Sequence, residues 1–222
     1  MQTLDIETFI KEARYFSQRE SQNSHPDLFG VTDGKAIGTY FEHKFNKYLQ
    51  SKYNFIPGNS ANGIDFPSLN TDMKVTSYKQ PQSSCPYKSA KQKIYGLGYN
   101  LIVFVYQKYD DVNTKTGRLD IVDIVFINSH RTADYQLTTA IKNILSNNGN
   151  RDDLMALMLE KNLPVDEIEL NRLADEILLN PPLQGYLTIS NALQWRLQYS
   201  RVIQLADQIE GIFSIIKSGN QL

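Results

Sequence analysis

The sequence predicts an α/β fold: a mixed central sheet flanked by helices, with a helical C-terminal extension. Three observations carry this expectation. Residues 100–107 read Asn-Leu-Ile-Val-Phe-Val-Tyr-Gln, a near-continuous apolar run of strand length, as in a strand buried on both faces inside a sheet. Residues 119–128 repeat that character. Before these strands, two stretches place apolar residues every three or four positions, and beyond residue 130 helical periodicity takes over.

Each element follows from local pattern. Residues 4–20 form an amphipathic helix through Leu4, Ile6, Phe9, Ile10, Ala13 and Phe16, and 21–34 a polar loop broken by Pro26, Gly30 and Gly34. Residues 35–53 form a second helix through Ile37, Phe41, Phe45, Tyr48 and Leu49. A turn at 57–60 precedes two short strands, 63–69 and 71–77, whose tight connection predicts an antiparallel hairpin. A polar loop (78–87), a helix (88–97), the two buried strands and a polar turn between them (110–117) complete the first half. Helices are expected at 134–145, 152–162, 166–179, 190–197 and 199–217, broken at 147–150 and at Asn180-Pro181-Pro182. Trp195 and the stripe Ile203, Leu205, Ile209, Ile212, Phe213 and Ile216 read as core or dimer contact. Residues 1–130 would be the core, and 131–222 an extension packed on it as one unit.

Composition narrows the class. With 222 residues, 41% hydrophobic and 11% aromatic, the chain can bury a substantial core, which excludes wholesale disorder. A single cysteine, Cys85, excludes an intrachain disulfide framework and a cysteine-only metal cage. No apolar run approaches the roughly 18 residues of a membrane span. The start lacks a basic head followed by an apolar stretch, so a soluble cytoplasmic protein is expected. The net charge of -1 conceals an asymmetry. Residues 35–118 hold 12 basic and 5 acidic side chains, against 11 and 19 elsewhere. One positive region on a neutral chain suits a polyanionic partner.

The acids within that basic region are few. From Lys35 to Asp110 the only carboxylates before Asp110 are Glu42, Asp65 and Asp72. Strand side chains alternate, so Asp72 and Lys74 share a face while Met73 and Val75 take the other. Asp65, on the partner strand, can reach the same side. Two carboxylates and an ammonium around one point are the parts of a phosphodiester-hydrolysing site. Carboxylate oxygens suit Mg²⁺, which polarises phosphate, and the lysine positions water and offsets developing charge. Each group also has an ordinary reading: Asp65 as a turn residue, Asp72 and Lys74 as a surface pair, Glu42 in a helical ion pair with Lys35 or neighbours of Lys47. His25, His43 and His130 show no metal-ligand spacing, and no Walker loop or dinucleotide fingerprint is present. Gln80, Gln82, Ser83, Ser84, Lys88, Lys91 and Gln92 follow the candidate site; these types pair with base edges or phosphates, or simply form a solvated loop. Lys88, Lys91 and Lys93 suit phosphate contact better than base reading.

At these residues the chain resembles the PD-(D/E)XK nuclease superfamily. The match runs from a helix bearing Glu42, through Asp65 and Asp72-Met73-Lys74, to a helix and a buried strand, and covers roughly residues 35–128. It departs in having Ile64 before Asp65, with proline only at Pro67. Residues 80–106 resemble type II restriction endonucleases in particular. The resemblance implies a restriction-endonuclease-like core and Mg²⁺-dependent cleavage of double-stranded DNA at a short specific sequence, leaving 5′-phosphates. Asp65 and Asp72 would ligate the metal with a backbone carbonyl near Val75, Lys74 would orient the water, and Glu42 would assist. A homodimer reading a palindromic site is the implied assembly. The alternatives are a structure-specific nuclease of junction-resolving or repair type, and a catalytically degenerate DNA-binding or assembly protein.

Overall fold

The structure, a computed structural model, describes residues 2–58, 63–189 and 196–217. The chain runs β1 (Gln2–Thr3), α1 (Ile6–Glu20), β2 (Ser24–His25), α2 (Gly34–Gln50), β3 (Tyr53–Asn54), β4 (Thr71–Ser77), β5 (Gln82–Ser84), α3 (Ala90–Tyr95), β6 (Asn100–Asp111) and β7 (Thr116–Ile127). It continues with α4 (Tyr135–Ser146), α5 (Arg151–Glu160), α6 (Glu167–Leu179), β8 (Thr188–Ile189), β9 (Arg196–Gln198), α7 (Ser200–Leu205) and β10 (Ile212–Ile216).

The central sheet has the order β10-β7-β6-β4, with β2 on the outer part of β7. β4 runs parallel to β6, while the β6–β7 and β7–β10 pairs are antiparallel, so the sheet is mixed as expected. Alternation along β6 sends Ile102, Phe104 and Tyr106 to one face and Leu101, Val103 and Val105 to the other, all of them buried. On the first face lie α1 and α2, whose Phe9, Phe16, Phe41 and Phe45 interlock with Phe66 and Phe104. Buried Glu20 closes the edge of this layer. Its carboxylate lies 2.5 Å from Lys44 of α2 and 2.8 Å from His25 of β2. On the second face lie Tyr199, Val202 and Leu197 from the C-terminal part of the chain. A third cluster packs α3 against α4, α5 and α6. Side-chain caps at Asp134, Asn150 and Asp166 begin these last three helices, satisfying amides that have no partner within the helix.

Several local expectations are corrected. Residues 63–69 form no strand, and the hairpin with 71–77 reduces to a single bridge between Phe66 and Thr71. Pro67 has no N–H for a ladder, and it opens a tight 3-10 turn that ends at Asn70 in the left-handed region, φ 46°. Within the expected loop at 78–87, Gln82–Ser84 is a strand of a small antiparallel sheet, β5-β9-β8. The helix expected at 199–217 stops at Leu205. Asp207 (φ 70°) and Gly211 (φ 86°) then turn the chain, and β10 pairs with β7. Ile212, Ile215 and Ile216 are β-branched and suit this pleated, buried position. A Cβ at Gly211 would meet the His130 ring at 2.8 Å, so only glycine allows the turn there. Of the helix expected at 190–197, residues 196–197 are strand; the remainder, including Trp195, lies outside the described residues, as do positions 59 and 60 of the expected turn.

Candidate active site

β4 forms a free margin of the sheet next to β6, and its register places Asp72 opposite Leu101 and Lys74 opposite Val103. Met73 packs into the α1/α2 layer, so Asp72, Lys74 and Thr76 stand on the other face. Asp72 is 3% exposed, and its Oδ2 lies 2.6 Å from Lys74 Nζ. Asp65 arrives without a partner strand. Its carboxylate takes the place of one, accepting the Met73 amide at 2.8 Å on the margin of β4. The turn at Pro67–Leu69 sets the distance over which the chain doubles back.

The two carboxyls then meet. Burial, above all, pushes Asp65 up from the ordinary carboxylate value of 3.8 to about 7. Its hydrogen bond to Asp72, the charge of Asp72 and the more distant charge of Glu42 push the same way, against the Met73 amide. A protonated Asp65 donating to Asp72 is therefore the metal-free arrangement at mildly acidic pH. Glu42 belongs to α2 one turn beyond Gly38, where a Cβ would sit 3.8 Å from Val75 Cβ and 3.9 Å from its carbonyl oxygen. This close approach brings Glu42 near enough to act on Asp65 by charge. Among the described residues Glu42 makes no hydrogen bond or ion pair, so the helical pair with Lys35 is not formed. Neither do three or more acid, histidine or cysteine side chains cluster as a metal cage among the described residues.

Strand geometry decides which backbone oxygens face this margin. Thr71 and Met73 direct their amides away from β6, toward Phe66 and Asp65. By alternation the carbonyls of Met73 and Val75 point the same way, with that of Met73 nearer the carboxylates.

Two tyrosines complete the surroundings. Burial and the charges of Asp72 and Asp65 push Tyr99 up to about 12. Fully buried Tyr199 shares a 2.6 Å hydrogen bond with Ser83, and Asp72 adds to the effect of burial in raising it. Tyr99 sits at the entry to the buried strand, which hinted at its place. Tyr199 lies over a hundred residues away in sequence, and no local signal marks it.

The polar residues after β4 divide. The Lys88 ammonium reaches the Gly63 backbone, where a Cβ would be 3.6 Å away, two residues before Asp65. Gln80 is exposed in the turn after β4. Gln82 and Ser84 lie on β5, with the Gln82 backbone held by Thr76 Oγ1 at 2.9 and 3.0 Å. Ser83 turns inward to Tyr199. Lys91 is engaged with Glu176 of α6 at 2.6 Å. Gln92 accepts the Lys88 amide at 2.6 Å and so braces the start of α3. Lys93 is buried, and its pKa is lowered by desolvation, which places it away from a phosphate surface.

The family model described as Type II restriction enzyme NspV matches residues 3–214. This chain belongs to the NspV family of type II restriction enzymes. Type II restriction enzyme NspV of Nostoc sp. is 58% identical over 218 residues, covering 98% of this chain and 99% of that protein. No solved structure matches. In the structure this NspV-family chain holds a carboxylate pair and a lysine on the β4 margin of its central sheet. Among the described residues no helix is long and apolar enough to cross a membrane.

Proposed function

We propose that this restriction endonuclease hydrolyses double-stranded DNA at a short specific sequence in a Mg²⁺-dependent reaction, leaving 5′-phosphates, through a PD-(D/E)XK-type site. The observation that carries the reading is the convergence of Asp65, Asp72 and Lys74 at one point. Two carboxyls in mutual contact must either share a proton or share a cation, and an oxygen-only donor set suits Mg²⁺. Asp65 and Asp72 would hold the ion with a carbonyl of the β4 margin, Val75 or the nearer Met73. When bound, the cation supplies Lewis-acid polarisation of the phosphate. Lys74 orients the attacking water and offsets negative charge growing on the phosphate oxygens. Glu42, whose charge reaches Asp65, would assist placement of metal or water. Water oxygen bonds to phosphorus as the bond to the 3′ oxygen breaks, giving a 5′-phosphate and a 3′-hydroxyl. Lys88 approaches from the Gly63 side as a phosphate contact. We further propose a homodimer acting on a palindromic site.

A plasmid digest with Mg²⁺, followed by end mapping, tests the reaction; discrete fragments with 5′-phosphates are expected. Asp72→Ala and Lys74→Ala should each lower cleavage by at least about 10²-fold, on the scale of losing a group that stabilises transition-state charge. Both should still bind DNA in Ca²⁺. Cleavage left intact in both variants would show that the site is elsewhere.

A further inference from the structure

We infer that the outward face of the β5-β9-β8 sheet is the surface that reads base edges, with Gln82 and Gln198 as specificity-determining residues; this rests on the endonuclease reading above. The sheet has two unlike faces. Antiparallel register puts Ser83 opposite Leu197, and Leu197 opposite Ile189. These three face inward: Leu197 is fully buried, Ile189 packs beside it, and Ser83 bonds Tyr199. The same register aligns Gln82, Gln198 and Thr188 across the other face, with Ser84 opposite Arg196 beside them. The side chains of Gln82, Ser84 and Gln198 have no hydrogen-bond partner among the described residues, while Thr188 accepts from Arg201 at 3.3 Å.

The chemistry of that face is that of groove recognition. Glutamine pairs bidentately with adenine, arginine with guanine, and serine or threonine with either. Charge agrees independently. Residues 73–109 and 177–206 are the two longest stretches of the sequence without a carboxylate, and they supply all three strands. A face made from them meets polyanionic DNA without repulsion from its own strands.

Position agrees as well. Thr76 holds Gln82 by two hydrogen bonds. It stands four residues along β4 from Asp72, about 13 Å at the usual strand rise. That is about the width of a B-DNA major groove, which admits a β-ribbon. A scissile phosphate at Asp72 and base edges at Gln82 are therefore reachable from one docked duplex. The bonds of β5 to Thr76 and Tyr199 make the ribbon a rigid continuation of the catalytic strand.

The test is a comparison of kcat/KM for the cognate site against every single-base-pair variant of it, for wild type, Gln82→Ala, Gln198→Ala and Gln204→Ala. Gln204 is an exposed glutamine of α7, outside the ribbon. Gln82→Ala and Gln198→Ala should each lose about 5- to 150-fold discrimination at particular base-pair positions, the scale of one bidentate contact. Gln204→Ala should match wild type. In a second measurement, Ser84→Asp should weaken duplex binding in Ca²⁺ at least tenfold. Retained discrimination at every position in folded variants, or a uniform loss over all sequences, would overturn the inference. So would unchanged binding by Ser84→Asp. Wild-type enzyme that makes no discrete fragments would instead overturn the endonuclease reading beneath it.

Discussion

Replacing Asp65 by asparagine should stabilise the metal-free protein at neutral pH while removing its response to metal. Asparagine keeps an oxygen for the Met73 amide and offers N–H groups to Asp72, so both contacts survive without a proton to hold. The sign follows from linkage. Asp65 has a folded pKa of about 7 against 3.8, so the folded state binds the extra proton more tightly between those values. Its favourable contribution is complete at about pH 4, declines as pH rises, and is gone above about pH 7. Fully realised, that span is worth about 4 kcal/mol at 1.36 kcal/mol per pH unit. Solvent at the mouth of the site screens part of it, leaving roughly 2–3 kcal/mol. Urea unfolding in EDTA, run from pH 5 to pH 8, measures it. Wild type should lose stability across the range relative to Asp65→Asn, and Mg²⁺ or Ca²⁺ at pH 8 should restore it in wild type only. A stability difference that stays flat from pH 5 to 8 would refute the shared-proton arrangement.

Other expectations follow from packing. Phe45→Ala empties a fully buried position between α2 and the sheet and should cost about 3–5 kcal/mol, read by denaturant midpoint. Gly185→Ala would put a methyl 2.2 Å from the Ala133 carbonyl oxygen; a loss of at least about 1–3 kcal/mol is expected by the same measure. Tyr199→Phe removes the hydrogen bond to Ser83 and should lower stability by about 1 kcal/mol, with a greater proportional effect on sequence discrimination than on cognate cleavage.

Much of the site was legible because its signals are local. Asp72 and Lys74 share a face by strand alternation alone, and the scarcity of acids between residues 35 and 110 singled out Asp65 and Glu42. The route by which Asp65 arrives was not legible. A hairpin was the natural reading of 63–77, but the carboxylate itself supplies the bond that a partner strand would have made. Lys91 and Gln92 looked available for DNA; Glu176, the partner of Lys91, becomes its neighbour only in the folded chain, while Gln92 turns back locally onto the Lys88 amide.

Periodicity and composition by themselves determined the buried strand pair, the two N-terminal helices and the helices of residues 135–179, since each depends on residues near in sequence. Tertiary structure alone decided that Ile212–Ile216 is a strand, because an apolar β-branched run fits a helix face or a pleat equally until β7 offers unpaired backbone. It alone decided, too, that Gln82 stands opposite Gln198. The second pairing joins segments over a hundred residues apart, and the energy that selects it is burial of Leu197 and Tyr199, which exists only once the chain has closed on itself.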